Sequence, residues 1–354
     1  MYYFRVHKKI TVIKYIRSAA LLIALTAGIT STTISCNKTD EQPAAKEQVY
    51  AAGYDWINNK QGAKLWSNTE GSALTDGTAT SSSVSIAVSG NDVYVLGFET
   101  AAPYPRRNTK LWKNNVLQDF PNNNISMSPG GLLIDNNDVY ISGFSTDSNM
   151  KNSGKIWKNG VPLTLTDEGR VNAIRMERGD IYATGFIYNS NGRYVATLWK
   201  NAVEEAPLEN ALDAIALSIF VYNNDVYITG RKSVNNTWVA MLWKNGAAQQ
   251  LSDGTSYAEA NKVFVYNNDV YVAGSQDESA VLWKNGQAQK LAGPRSRASS
   301  VYVTKNNVYV GGHVSNSNID VEQAVIWKNG IAQLLEGPEN TPSAVTDIYV
   351  KELK

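Results

Sequence analysis

From residue 49 onward, the chain alternates short apolar segments with turns that are rich in Asn, Gly and Asp. Examples are "SIFV" at residues 218–221, "VYITG" at 226–230 and "AMLWK" at 240–244. Segments this short, rich in β-branched and aromatic residues and bounded by turn residues, are typical of β-strands. The pattern of hydrophobic and polar positions therefore predicts an all-β structure made of many short strands.

Two sequence signatures repeat in step along this region. A Leu-Trp or Ile-Trp pair recurs every 40 to 46 residues, with its tryptophans at Trp66, Trp112, Trp157, Trp199, Trp243, Trp283 and Trp327. A Val/Ile-Tyr-x-x-Gly signature recurs with it and begins at Val49, Val93, Val139, Ile181, Val226, Val270 and Val308. Self-similarity at this period indicates a repeat architecture.

Each repeat contains four predicted strands, which is the content of one β-propeller blade. The first repeat lacks its first strand, and "DIYV" at residues 347–350 supplies a strand of the missing type. We therefore predict an all-β, seven-bladed β-propeller over residues 49–354, with four-stranded antiparallel blades. The C-terminal strand should pair into blade one and close the ring, which removes long open sheet edges.

Six of the seven repeated tryptophans are followed by Lys-Asn, and four of these by Lys-Asn-Gly, which admits two interpretations. Trp, Lys and Asn together can form a ligand-binding tripod, but Asn-Gly between two strands is the strongest short signal for a hairpin turn. Both faces of a propeller blade are covered, so a Trp in every blade can fill the space between blades. We assign the seven repeated tryptophans a structural role.

The repeats resemble two known families. The segment "AVLWKNGQAQKLAGPRSRASSV" at residues 280–301 resembles the HAF family of extracellular repeats, although the leading His-Ala-Phe of that family is absent. "NVYVGG" at residues 307–312 resembles, more weakly, part of a kelch repeat. Both resemblances imply a propeller and an extracytoplasmic setting, and neither implies a reaction.

The N-terminal segment has a different composition from the repeats. Residues 1–35 contain five basic residues and no acidic one, then an apolar run at 19–29, which is the layout of a secretory signal. The sole cysteine, Cys36, follows "TIS", as in a bacterial lipoprotein signal; an ordinary signal peptide is the alternative. We predict a lipidated Cys36, a flexible tether over residues 36–48, and an exported protein anchored to the cell envelope, most simply the outer membrane.

Charge and missing motifs exclude several function classes. The formal net charge is +1, and the basic N-terminal segment accounts for enough of it to leave the remainder acidic, which disfavours nucleic-acid binding. His313 is the one histidine beyond the signal segment, so repeated-His metal sites are excluded, and no phosphate-binding glycine loop is present. We expect no metal and no cofactor, and a monomer.

Binding residues are expected on the long, variable loops between the second and third strands of each blade and on the connections between blades. The candidates for a protein or glycan ligand are Trp56, Tyr104, Arg107, Tyr188, Arg193, Arg231, Trp238, Arg295 and His313. We predict a lipid-anchored, non-catalytic binding or scaffolding module. The alternatives are a glycan-active hydrolase or lyase with acids from several blades, and an outer-membrane assembly scaffold.

Overall fold

A computed structural model describes residues 46–101, 106–119, 126–316, 321–338 and 340–353. The predicted signal segment, Cys36 and Tyr104 lie outside the described residues, as does most of the predicted tether. Among the residues described, no helix is long and apolar enough to cross a membrane.

The described residues form seven four-stranded antiparallel sheets, as predicted from the repeats. Blade one consists of β28 (Ala344–Glu352), β1 (Glu47–Ile57), β2 (Lys60–Ser67) and β3 (Glu70–Ala73); blade two of β4 (Ser81–Ser89), β5 (Asp92–Ala101), β6 (Arg106–Lys113) and β7 (Val116–Gln118); blade three of β8 (Ser126–Asp135), β9 (Asp138–Thr146), β10 (Asn152–Lys158) and β11 (Val161–Thr166). Blade four consists of β12 (Gly169–Glu177), β13 (Asp180–Tyr188), β14 (Tyr194–Lys200) and β15 (Val203–Glu204); blade five of β16 (Ala214–Tyr222), β17 (Asp225–Val234), β18 (Thr237–Lys244) and β19 (Ala247–Gln250). Blade six consists of β20 (Ala258–Tyr266), β21 (Asp269–Gln276), β22 (Ser279–Lys284) and β23 (Gln287–Pro294), and blade seven of β24 (Ser296–Val303), β25 (Val308–Asn316), β26 (Val321–Lys328) and β27 (Ile331–Leu334).

The ring closes as predicted, because β28 is the first strand of blade one. It pairs antiparallel with β1, and the register places Val350 opposite Val49 and Tyr349 opposite Tyr50. The last strand of the chain and the first described strand thus belong to one sheet. The propeller is closed by backbone hydrogen bonds between the two ends of the repeat region.

The first strand of each blade lies innermost and borders the central channel. Alternate residues on these strands have different environments: Ile219 and Val221 are buried between blades, as are Val263 and Val265 in the next blade. Of the intervening side chains, Phe264 is partly buried and Phe220 is 8% exposed. Along each first strand, every second side chain therefore packs between blades, and the side chains between them face the channel.

The glycine of the Val/Ile-Tyr-x-x-Gly signature is required by a bulge in the first strand. In blade five the register between β16 and β17 shifts between Ala216 and Ser218, beside Gly230. The shift brings the Ile215 carbonyl oxygen to 2.0 Å from the place where a Cβ on Gly230 would lie. The same clash is built into every blade, at Gly53, Gly97, Gly143, Gly185, Gly230, Gly274 and Gly312. Only a residue without a side chain fits there.

The seven repeated tryptophans are all buried, with exposed fractions between 0% and 6%. Each belongs to a separate hydrophobic cluster that spans two neighbouring blades. Trp283 of blade six, for example, packs with Ala240 and Leu242 of blade five. The indoles thus fill the interfaces between blades, where each buries a large apolar area.

The Lys and Asn that follow the tryptophan bond within their own blade. In blade five, Lys244 Nζ lies 2.8 Å from Asp225 Oδ2 and 5.2 Å from the centre of the Tyr227 ring. Asn245 donates to Asp225 Oδ1 at 2.7 Å and accepts from the Val226 amide at 2.8 Å. The Asp–Lys–Asn set recurs as Asp92–Lys113–Asn114, Asp138–Lys158–Asn159, Asp180–Lys200–Asn201 and Asp269–Lys284–Asn285. We call this set the blade corner; its polar groups are used internally.

In blade seven the acid of the blade corner comes from blade one. Asn307 stands where the other corners have Asp, and Glu47 of β1 receives hydrogen bonds from Tyr309 Oη at 2.5 Å and Asn307 Nδ2 at 2.7 Å. Lys328 Nζ lies 3.7 Å from Glu47, whose side chain is 7% exposed. Glu47 therefore joins the first blade to the last.

The prediction of long loops between second and third strands is wrong for blades one, five and six. There the strands continue toward each other and are joined by two-residue turns at 58–59, 235–236 and 277–278. The six turn residues all have positive φ, between 49° and 63° in the Asn-Asn turns, which matches the twist of a hairpin. Most residues predicted to lie on loops are thus on strands, which hold them more rigidly.

Candidate ligand-binding cleft at the channel mouth

An open cleft of about 450 Å³ lies between blades six and seven. It is at the end of the disc opposite the blade corners, where second strands end and third strands begin. We call it the channel-mouth cleft; it is lined by Tyr257, Ser275, Glu278, Arg295, Ser296, Arg297, His313 and Glu322. These side chains come from strand ends and short connections, so the backbone around the cleft is fixed by sheet hydrogen bonds.

A buried carboxylate, Glu259 of β20, organises the wall of the cleft. Its side chain is 4% exposed and lies between two arginines. Arg231 Nη1 is 2.6 Å from Oε2, and Arg297 is hydrogen-bonded to Oε1. The Tyr257 hydroxyl also donates to Oε2 at 3.1 Å. Both oxygens are engaged, so this carboxylate positions its neighbours across blades five, six and seven.

A second acid–base pair lies on the other side of the cleft. His313 Nε2 is 3.7 Å from Glu322 Oε1, and Tyr54 of blade one is hydrogen-bonded to Glu322. Burial lowers the pKa of His313; Glu322 opposes this shift, and Arg297 adds to it. Burial, reinforced by Glu322, raises the pKa of Tyr54 to about 12. At neutral pH, His313 is therefore a neutral imidazole and Tyr54 a neutral hydrogen-bond donor.

An aromatic cluster adjoins the cleft through Arg231. The Arg231 guanidinium carbon lies 4.6 Å from the centre of the Trp238 ring, and Trp238 lies 6.5 Å from Tyr194. Tyr194 is in turn 5.4 Å from Tyr188 and packs edge-on against Phe186 at 5.1 Å. These four rings, on blades four and five, form what we call the aromatic cluster. A planar guanidinium stacked on indole offers a flat, partly apolar surface.

The structure brings some predicted binding residues together and separates others. Arg231, Trp238 and Tyr188 meet around the aromatic cluster, while Arg295 and His313 line the channel-mouth cleft. Three other candidates have separate environments. Trp56 is half-buried on β1, Arg107 stacks over Phe98 at 4.2 Å on β6, and Arg193 Nε is 2.6 Å from Asp213.

Two acids of the site were missed by sequence reasoning. Glu259 and Glu322 lie on strands, whereas candidates were sought on loops. The available signal for Glu259 is an acid in a first strand, at the place where Ile215 and Ala344 stand in two other blades and Arg170 and Arg297 in two more. A carboxylate facing a channel needs a partner, so this substitution in the repeat points to a local polar network.

The side chains of the cleft limit the chemistry that the site can perform. In the described part of the chain, no group of three His, Cys, Asp or Glu residues is placed to hold a metal ion. A general acid or base needs a proton-carrying group that is free to act on a ligand; Glu259 is bonded through both oxygens, so His313 and Glu322 are the groups of the cleft that could fill this role. The cleft presents arginines, carboxylates and hydroxyls of fixed geometry beside flat aromatic rings, which suits a polar ligand with some apolar surface.

One family model matches part of this chain. The family model described as outer membrane protein assembly factor BamB matches residues 39–184, which run from the predicted tether into blade four. This family is neither the HAF-type nor the kelch repeats that the sequence resembles. No curated protein sequence is significantly similar to this chain.

Solved structures share the fold at very low sequence identity. A puromycin-hydrolyzing peptidase from Mycobacterium tuberculosis is 8% identical with a TM-score of 0.54, over 82% of this chain and 52% of the peptidase. The chain thus spans about half the length of that enzyme. The β-propeller domain of the trilobed protease from Pyrococcus furiosus, described as having an open velcro topology, is 10% identical with a TM-score of 0.52, over 83% of this chain and 96% of the domain. These likenesses establish the propeller fold, and the match to the BamB model over residues 39–184 adds a relation to envelope-associated propellers.

Proposed function

We propose that this protein is a non-catalytic binding or scaffolding module of the cell envelope. The channel-mouth cleft and the aromatic cluster together form its binding surface for a protein partner. Tethering through a lipidated Cys36 would hold the propeller at the membrane. This proposal combines the BamB-like family match with the chemistry of the cleft.

The observation that carries the proposal is the internal use of the buried carboxylate. Arg231 and Arg297 hold Glu259, and Arg231 also stacks on Trp238, so one ion-pair network fixes both the cleft and the aromatic cluster. Arginine and aromatic side chains dominate the energetics of protein–protein recognition. A prearranged surface of this kind loses little conformational entropy on binding.

Site-specific photo-crosslinking in the cells that make the full-length protein tests the proposal. A photoreactive phenylalanine replaces Tyr257 in the cleft, and the same residue replaces Lys290 on the exposed outer strand β23 as the control. We expect one discrete protein adduct from position 257 and none from position 290. An Arg297→Ala change in the position-257 variant should reduce that adduct by about tenfold or more, equivalent to about 1.4 kcal/mol.

Two results would contradict this proposal. Adducts of equal yield from positions 257 and 290 would show that the cleft is not the binding site of the partner. Turnover of an envelope polysaccharide by the purified protein, abolished by Glu322→Gln, would assign the cleft to a glycan-active enzyme.

The lipid anchor is tested separately at Cys36. We expect Cys36→Ser to move the protein from the membrane fraction to the soluble fraction and to abolish the incorporation of labelled palmitate. Unchanged membrane association and labelling in this variant would remove the anchor from the proposal, while the cleft experiment would stand on its own.

A further inference from the structure

A second set of unusual side chains lies inside the channel, near the end that carries the blade corners. Each is on a first strand, directly across the sheet from the Tyr of a Val/Ile-Tyr-x-x-Gly signature. We call this set the axial ring; its polar and aromatic members are Arg175, Phe220, Phe264, Tyr302 and Tyr349. Ala87 and Leu133 complete it on blades two and three.

The aromatic members form a continuous arc across four blades. Ring centres are 4.7 Å apart between Phe220 and Phe264, 4.7 Å between Phe264 and Tyr302, and 5.0 Å between Tyr302 and Tyr349. The two tyrosine hydroxyls are hydrogen-bonded to each other, and burial raises the pKa of Tyr302. The smaller side chains of Ala87 and Leu133 leave more room on the opposite side of the channel.

Arg175 ends the arc and forms no ion pair with any acidic residue that the structure describes. Its guanidinium carbon lies 4.5 Å from the centre of the Phe220 ring, and its buried Nε has no hydrogen-bond partner. Within the described residues, its guanidinium forms no hydrogen bond or ion pair, whereas Arg231 and Arg297 are both bonded to Glu259. Burial lowers the pKa of Arg175, an effect that Glu177 opposes, but arginine stays charged in proteins.

The nearest polar network does not provide that partner. One step along the channel, Asp347 is bonded to Ser85 at 3.0 Å, Ser300 at 2.7 Å and Lys262 at 2.9 Å. Toward the channel end, Glu177 lies 3.9 Å from Arg178. The Arg175 guanidinium is partly removed from water, and the charge of Glu177 acts on it without forming an ion pair, so the guanidinium can still bind an anion.

We propose that the axial ring binds a small monocarboxylate with a flat apolar body, of the arylcarboxylate class. The carboxylate accepts two hydrogen bonds from Arg175, and the aryl group lies against the arc formed by Phe220, Phe264 and Tyr302. One guanidinium neutralises one negative charge. A dianion such as a phosphate monoester would leave charge uncompensated in a site that already contains Glu177.

Titration calorimetry with phenylacetate and the full-length protein tests this inference. Phenylacetamide, a neutral analogue of the same shape, is the control ligand. The test variant is Arg175→Met, and the matched control is Arg170→Met, because Arg170 is on the same strand, stacks on Phe144 at 4.2 Å and also has an unbonded Nε. We expect phenylacetate to bind about tenfold or more tighter than phenylacetamide, and Arg175→Met to lose that difference while Arg170→Met keeps it.

Thermal unfolding of the same variants shows whether they fold. Because Arg175 forms no ion pair within the described part of the chain, Arg175→Met should raise the unfolding midpoint of the ligand-free protein, so lost binding cannot be attributed to misfolding. Equal binding of phenylacetate and phenylacetamide, equal losses in the two Arg variants, or no saturable binding would overturn the proposal. Binding of N-acetylphenylalanine without binding of phenylacetate would also overturn it, because the ligand would then be a peptide C-terminus.

Discussion

At the scale of single residues, the repeat is specified by positions that tolerate no other side chain. The glycine that ends Val/Ile-Tyr-x-x-Gly faces a carbonyl oxygen of the bulged first strand in every blade. The sequence shows that this glycine recurs, but the bulge that requires it depends on a register shift that no local pattern encodes. The glycine could therefore be predicted from the sequence, but the bulge that requires it could not.

Gly230→Ala should lower the free energy of unfolding by roughly 1–3 kcal/mol, because the new Cβ would overlap the Ile215 carbonyl oxygen. Gly293→Ala is the control, since no atom lies within 4 Å of the Cβ it would carry. Urea unfolding measures both. A Gly230→Ala protein as stable as the Gly293→Ala protein would show that the bulge is not as close as described.

The repeated tryptophans lead to a second expectation at this scale. Trp199 is 1% exposed between blades three and four, so Trp199→Ala should cost about 3–5 kcal/mol. Trp56→Ala, at a half-buried position outside the repeat, should cost much less. If the two substitutions were equally mild in urea unfolding, the indoles would not be what holds the blades together.

At the scale of the element, the blade corner joins the second, third and fourth strands through one Asp, one Lys and one Asn. Asn-Gly turns were readable from sequence because positive φ at two successive residues demands such residues, as at Asn245 and Gly246 with φ of 49° and 85°. The length of the connections between second and third strands could not be predicted from sequence, because hydrophobic spacing does not show at which residue a hairpin turns. That error directed the search for binding residues away from Glu259 and Glu322.

The corner of blade seven should make stability depend on pH. Burial alone would raise the pKa of the Glu47 carboxyl, but hydrogen bonds from Thr304, Tyr309 and Asn307, with Lys328, lower it below its ordinary value of 4.5. A lowered folded-state pKa stabilises the fold above pH 4.5, and this contribution is lost as the pH falls through the lowered value. Glu47→Gln should therefore lose stability at pH 7 and show a weaker loss between pH 5 and pH 3 than the wild type, in roughly the range where carboxylates titrate.

Urea unfolding at a series of pH values measures this dependence. Glu204→Gln, a change at an exposed position of the outer strand β15, is the control. A pH profile of Glu47→Gln that coincides with the wild type would mean that Glu47 does not join the two ends of the chain.

At the scale of the whole molecule, the repeat period gave the architecture correctly, since a four-strand unit that recurs seven times can bury both its faces only against its own copies. The candidate site was predicted in part. Arg231, Trp238, Arg295 and His313 lie at or beside the cleft, but the network that unites them depends on strands from different blades meeting at the channel. These contacts between strands of different blades follow from the geometry of the ring, and no local sequence pattern indicates them.

Ring closure creates the channel, the cleft and the axial ring, so these sites exist only if the first and last strands are paired. The register pairs Gln48 with Lys351, and a slip of one residue would turn the side chains to opposite faces. In a Cys36→Ser background, Gln48→Cys with Lys351→Cys should form an intramolecular disulfide, detected by mass spectrometry of the non-reduced digest. Gln48→Cys with Glu352→Cys should not. No bridge in the first pair, or equal bridging in both, would contradict the closed ring.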